Sequence, residues 1–205
     1  MAMIRPYTLP LFLLLFLLTA CASRQRIPEE GKANLWKTQE ATLTQLKSWR
    51  MQGRISVQID REAWSATLHW RQEADNYRIN LIAPLGQGAF ELIGGPDAVV
   101  MHTADNRLLQ ADSAEILMEE NLGWYVPING LQYWIKGTPA PGSEPGELSL
   151  DEHGNLSTLV QEGWSMEYSR YLETGPYRLP QRLNLENRKK KLRVRLVMRE
   201  WVPEQ

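Results

Sequence analysis

The sequence predicts a mainly β protein with helices (α+β): a strongly curved antiparallel sheet or unclosed β-barrel of about ten strands, carrying a helical lid. Three observations lead there. Apolar residues alternate with period two in segment after segment beyond Gly53, the mark of half-buried antiparallel strands. Helical periodicity interrupts that pattern in the middle of the chain, between Asp112 and Gly137. One further helix precedes the whole run, and a sheet of so many strands curls rather than staying flat.

The elements follow in order. Leu35, Trp36, Gln39, Leu43, Leu46 and Trp49 recur mostly at spacings of three or four, which predicts an amphipathic helix capped by Asn34 and ended by Gly53. The period then changes to two. RISVQI places Ile55, Val57 and Ile59 on one face, AWSATLHW places Trp64, Ala66, Leu68 and Trp70, and YRINLI places Tyr77, Ile79 and Leu81. Short polar turns join them into a meander that AFELIG and AVVMHT extend. Asp112 and Glu115 have capping-box spacing before a helix reaching Gly123, and NGLQYWIKG reads as a short helix capped by Asn129 and stopped by Gly137. TPAPGSEPGE is a loop, after which ELSL, NLSTLV, WSMEYSRYL, RLNLE and KLRVRLVMREW resume the alternation.

The N-terminus bears on compartment. Arg5, the apolar run LPLFLLLFLLTA and the small residues before Cys21 read as a signal peptide over residues 1–20, too short to span a bilayer. Leu18-Thr19-Ala20-Cys21 resembles the lipobox of bacterial lipoproteins, which makes Cys21 the expected lipidation site. It is the only cysteine, so no internal disulfide can form and the fold must rest on its core. Residues 21–33 read as lipidated terminus and tether, and residues 34–205 as one domain. Ala22 follows the cysteine. In enteric bacteria an Asp there signals inner-membrane retention, so the expectation is the outer membrane, facing the periplasm.

Losing residues 1–20 removes one basic residue and no acidic one, so the formal net charge of −1 becomes −2. That argues against a nucleic-acid partner, whose phosphates demand a basic surface. His69, His102 and His153 are widely separated with no i, i+4 pair, so no zinc site is expected. There is no G-x-S-x-G; Gly86-x-Gly88 lacks a third glycine and a following helix; Glu29-Glu30 and Glu119-Glu120 sit in polar runs. These absences name no catalytic residue, metal or cofactor.

The face carrying Trp64, Leu68, Trp70, Tyr77, Ile79 and Leu81 fits two arrangements, a filled core or a dry cavity able to take an apolar ligand. NRKKKLRVR also fits two: a solvated strand face with a charged turn, or a docking patch of Arg188, Lys189, Lys190 and Lys191 for an acidic partner or anionic head groups. LIAPLGQGAF raises a sharper question. Ala83-Pro84-Leu85-Gly86 fits a type I turn, with Pro84 second, Gly86 fourth and Leu85 at the projecting third position, where turn chemistry has no use for leucine. The residues alone leave open a lipid-handling transfer protein, a lipid-anchored envelope scaffold, and a periplasmic hydrolase whose site folding assembles.

The lipobox, WRMQGRISVQ, WSATLHWRQ, YRINLIAPLGQGAFEL, YWIKGTPAPG, QEGWSMEYSRY and the RLP before the last hairpin together resemble the LolB family, in order from about residue 36 to Trp201. The resemblance implies a monomeric open barrel with a helical lid and an apolar cavity. It implies a protein that takes acylated lipoproteins from the periplasmic carrier LolA and places them in the outer membrane, meeting acyl chains and phospholipid and using no cofactor. It also implies that Pro84, Leu85 and Gly86 form a membrane-insertion loop with Leu85 at its tip.

Overall fold

One antiparallel sheet organises the computed structural model, which describes residues 28–84 and 88–204. Its strands are β1 (Ser48–Ile59), β2 (Glu62–Glu73), β3 (Asn76–Ile82), β4 (Ala89–Gly94), β5 (Val99–His102), β6 (Leu108–Ala111), β7 (Leu148–Leu150), β8 (Leu156–Gln161), β9 (Trp164–Thr174), β10 (Tyr177–Asn187) and β11 (Leu192–Glu204). Three helices accompany them: α1 (Glu29–Gln45), α2 (Ala114–Leu122) and α3 (Ile128–Trp134). Cys21, Leu85 and Gly86 lie outside the described residues, so the readings placed on them stay expectations.

The strand order is β6-β5-β4-β3-β2-β1-β11-β10-β9-β8-β7, so the first and last strands are neighbours at the centre. β6 and β7 are the two edges, and no ladder joins them among the described residues. The barrel is therefore unclosed, as expected, and α2 and α3 come from the connection between its edge strands. The eleventh strand is β6, which the sequence did not reveal. Its four residues read exposed, intermediate, exposed, intermediate and are too few to set up a period.

Several local expectations need correction. α1 begins at Glu29, not at Asn34, so residues 29–33 are helix rather than tether. Pro28 precedes the first turn, where Glu29 and Glu30 meet the positive end of the helix dipole. The helix also ends earlier than Gly53: Leu46 is its C-cap and Trp49 already points inward from β1, continuing the spacing of three by coincidence of two different elements. For α2 the cap is Ser113, whose Oγ accepts from the Ile116 N–H, while the Glu115 carboxylate instead accepts from the Ile128 N–H at 2.8 Å. α3 starts after Pro127, leaving Asn129 inside the helix. β10 runs from Tyr177 through Pro180, further than RLNLE. The proline is tolerated because the β11 ladder begins only at Arg182.

Burial alternates strictly along β1, with Trp49, Met51, Ile55 and Val57 inward. Trp49 packs against Trp70 and Trp201, with ring centroids at 5.3 and 5.2 Å. The loop after α3 is pinned by Gln161, which is buried. Its Oε1 accepts from Trp134 Nε1 (2.7 Å) and the Ala140 N–H (2.9 Å), and its Nε2 donates to the carbonyls of Ala140 and Ser143. The β1–β11 register slips by one between Gln52 and Gly53, which leaves Arg199 as the extra residue of a bulge and explains why Arg199 and Glu200 are both exposed.

Gly53 sits at that slip because the backbones come too close for a side chain: a Cβ there would lie 2.4 Å from the Val197 carbonyl oxygen. Gly53→Ala should therefore force the central strand pair apart and lower unfolding stability by about 2 kcal/mol. Urea denaturation measures this, and a loss below about 0.5 kcal/mol would show that the pair yields freely.

Candidate apolar binding cavity

An apolar void lies between the inward faces of the strands and the lid. From the sheet it is lined by Leu68 and Trp70 of β2, Ile79 and Leu81 of β3, and Leu92 of β4, with Ile55 and Leu196 behind them. From the lid come Met118, Trp124, Val126, Ile128 and Leu131. All are apolar, and the space is only about 20 Å³, room for one water with nothing to hold it. Sites that enclose drug-sized ligands measure several hundred Å³, so this one is closed, and it can admit a chain only if the lid moves.

The lid is held unequally along its length. Its C-terminal side is fixed by the Trp134–Gln161 hydrogen bond and by a 3.1 Å bond from Gln72 Nε2 to Gln132 Oε1. Its tip, the α2–α3 connection, is held by ring contacts. Trp124 packs on Trp64 with centroids 5.7 Å apart, and Lys190 Nζ stands 3.7 Å from the centroid of the Tyr125 ring. Such a cation–ring contact contributes roughly 0.5–1 kcal/mol at an exposed site.

The residues singled out in the sequence therefore divide. Leu68, Trp70, Ile79 and Leu81 come together around the void; Trp64 stands at its rim, half-buried; Tyr77 lies at the other end of β3, packed over Gly94. Trp70 Nε1 donates to Gln72 Oε1, so the ring satisfies its own polar atom within its strand. Pro84 is exposed where β3 leaves the sheet. The basic run is dispersed in function though contiguous in sequence: Arg188 faces Glu186 at 3.5 Å, Lys191 faces Asp60 at 3.2 Å, Lys190 reaches Tyr125, and Lys189 makes no such contact among the described residues. The lid residues Trp124, Val126, Ile128 and Leu131 were missed as cavity lining. The alternation of Trp124, Val126 and Ile128 was the available signal, but it falls in a helix–helix connection where no strand was expected.

Lys136 was also missed. It is buried, with no carboxylate facing it among the described residues, and its Nζ donates to the carbonyls of Leu46 (2.8 Å) and Leu43 (3.4 Å) at the C-terminus of α1. The Leu43 carbonyl also accepts from the Leu46 N–H at 3.1 Å, so the ammonium adds to the cap at the negative end of the helix. The lid and α1 are thereby tied together. Burial pulls the Lys136 ammonium down from 10.5 to about 8.

A curved, unclosed sheet closed over by a lid is a known class. A LolA superfamily protein from Nitrosomonas europaea superposes with a TM-score of 0.55 at 8% identity, covering 84% of this chain and 93% of that one. A DUF1329 family protein from Desulfovibrio piger superposes with a TM-score of 0.52 at 6% identity, covering 86% and 93%. Sequence narrows the class to a family: the model of the family described as "Outer membrane lipoprotein LolB" matches residues 47–201. The chain is 40% identical over 197 residues to the outer-membrane lipoprotein LolB of Pseudomonas putida, with 95% of each chain covered. It is 40% identical over 194 residues to that of Pseudomonas aeruginosa, with 93% of each covered. The chain belongs to the LolB family.

The lysine clamp makes a pH-dependent prediction. The folded pKa of Lys136 lies below the unfolded one, so above about pH 8 the folded chain releases a proton that the unfolded chain keeps until about 10.5. Stability attributable to this residue must rise with pH in that window. Between about pH 7.5 and about pH 9.5 the native chain should gain about 2 kcal/mol relative to Lys136→Met. Denaturant titrations at the two pH values test it, and parallel pH dependences would refute the assignment.

Proposed function

We propose that this protein is an outer-membrane lipoprotein, anchored through Cys21 and facing the periplasm, that accepts acylated lipoproteins from the periplasmic carrier LolA and incorporates them into the outer membrane. The observation that carries the reading is the void itself: wholly apolar, small, and roofed by a segment whose tip rests on the Trp124 and Tyr125 ring contacts and on buried Val126. Membership of the LolB family supports the location and the client. The protein acts by binding and release, without catalysis and without a cofactor.

Transfer without a fuel needs successive hosts of rising affinity. Each buried CH₂ contributes about 0.8 kcal/mol, so an acyl chain moves from carrier to cavity to bilayer only if each apolar environment is more complete than the one before. Opening the lid exposes Leu68, Ile79 and Leu81 to the incoming chain, and closing it restores dryness. The anchor raises the local concentration of the domain at its target membrane.

Two outcomes test this. The lid tip should have to move for uptake. In a Cys21→Ala background, where introduced thiols are unique, Lys190→Cys and Tyr125→Cys joined by a cleavable cross-linker should accept no lipoprotein from the carrier. Cleavage should restore acceptance at one-to-one stoichiometry, whereas normal acceptance with the link intact would eliminate the cavity as the site. Release should depend on Leu85. Burying one leucine in acyl chains contributes about 1.5–3 kcal/mol, and a carboxylate cannot follow it there. Leu85→Glu should keep thermal stability and uptake but deliver poorly to liposomes; unimpaired delivery would remove the insertion-tip role.

A further inference from the structure

Strand register brings the β1–β2, β3–β4, β5–β6, β8–β9 and β10–β11 turns to one end of the sheet. Charge at that end is uneven. Residues 60–62 and 186–195, neighbours through the β1–β11 ladder, hold seven basic side chains and three acidic ones in a chain of net charge −1. Behind the hairpin, two rows of outward residues cross five strands. One is Glu167, Asn184, Arg195, Ser56 and Ser65; the other is Ser165, Glu186, Arg193, Gln58 and Ala63. Together with the apolar Val57, Trp64, Leu185 and Val194 of the other face, they line a groove of about 570 Å³ to which Arg188 also contributes. Glu186 engages Arg193 at 3.2 Å and Arg188 at 3.5 Å, while Arg195 has no ion-pair partner among the described residues.

The same end exposes aliphatic surface. Ile82, at the end of β3, is 48% exposed, with Pro84 exposed two residues on, and Leu108, at the start of β6 three strands further along, is 61% exposed. β3 lies three strands from β11, about 14 Å away. Cations and short hydroxyl and amide side chains next to exposed aliphatics match the layering of a bilayer surface, where phosphates overlie hydrocarbon. An acidic protein would use the charge and leave the aliphatics unexplained.

Resting on the membrane location proposed above, we propose that the β10–β11 hairpin and its groove dock on anionic phospholipid headgroups, and that docking opens the lid. The link is Lys190. Its ammonium holds Tyr125 at the lid tip and lies one residue from Lys189 and two from Arg188, so a phosphate drawn to the hairpin competes for the cation that latches the lid. The cavity is then released to open where its contents can enter the bilayer, and stays shut away from it.

The test uses the mature lipidated protein in vesicles of phosphatidylcholine alone or with about a third phosphatidylglycerol, with no client and no carrier present, so that failure leaves the transfer reading standing. Hydrogen exchange of residues 114–135 should be about threefold faster on the anionic vesicles, an effect that about 0.5 M salt abolishes. Arg188→Gln with Lys189→Gln should lose the response to lipid composition at unchanged thermal stability. Lys190→Gln should exchange fast on both vesicles. Equal exchange of the native protein on the two vesicles, or a response that survives in Arg188→Gln with Lys189→Gln, would overturn the proposal. So would a lid that responds to soluble polyglutamate but not to the vesicles, which would assign the hairpin to an acidic protein.

Discussion

Eleven strands are enough to close a barrel, and this sheet does not close. β6 and β7 share no ladder among the described residues, and the α2–α3 segment that connects them lays apolar side chains over the inward faces of β2, β3 and β4 where a closed barrel would have backbone hydrogen bonds alone. A backbone ladder can part only by exposing unpaired polar groups, at a cost of about 1–3 kcal/mol for each that stays dry. Apolar side chains part at the cost of wetted area alone. The open sheet leaves the interior to be covered by side chains, which keep it dry.

The lid is fastened in keeping with that constraint. Its C-terminal side carries buried polar contacts with fixed geometry: Trp134 and Ala140 on Gln161, and Lys136 on the last carbonyls of α1. Its tip carries Trp124 against Trp64 and Tyr125 under Lys190, contacts of about 1 kcal/mol each that slide without leaving a buried polar atom unpaired. Only about 20 Å³ is free beneath it, so the space would admit a chain only if the lid moved.

Reading the sequence succeeded where one residue spacing belonged to one element. The alternation of Ile55 with Val57, of Leu68 with Trp70 and of Ile79 with Leu81 named strands and their inward faces, and five of those six side chains, all but Val57, meet in the void. It failed where two elements shared a spacing. Leu46 and Trp49 looked like consecutive turns of a helix although a helix ends and a strand begins between them. It also failed where a residue's partner was remote: Lys136 looks like any helix-terminal lysine until folding brings α1 to it across ninety positions.

By itself the sequence determined the periods, the breaks between them, the sole cysteine of a lipobox and a leucine in a turn with no local use for one, because each of these is a property of neighbours along the chain. Tertiary structure decided the size of the cavity, the residues of the lid that line it, and which of four adjacent cations meets the Tyr125 ring. Those depend on how tightly an open sheet coils and on which surfaces it brings within van der Waals distance. That coiling is a sum over many strand pairs, and no single stretch of sequence encodes it.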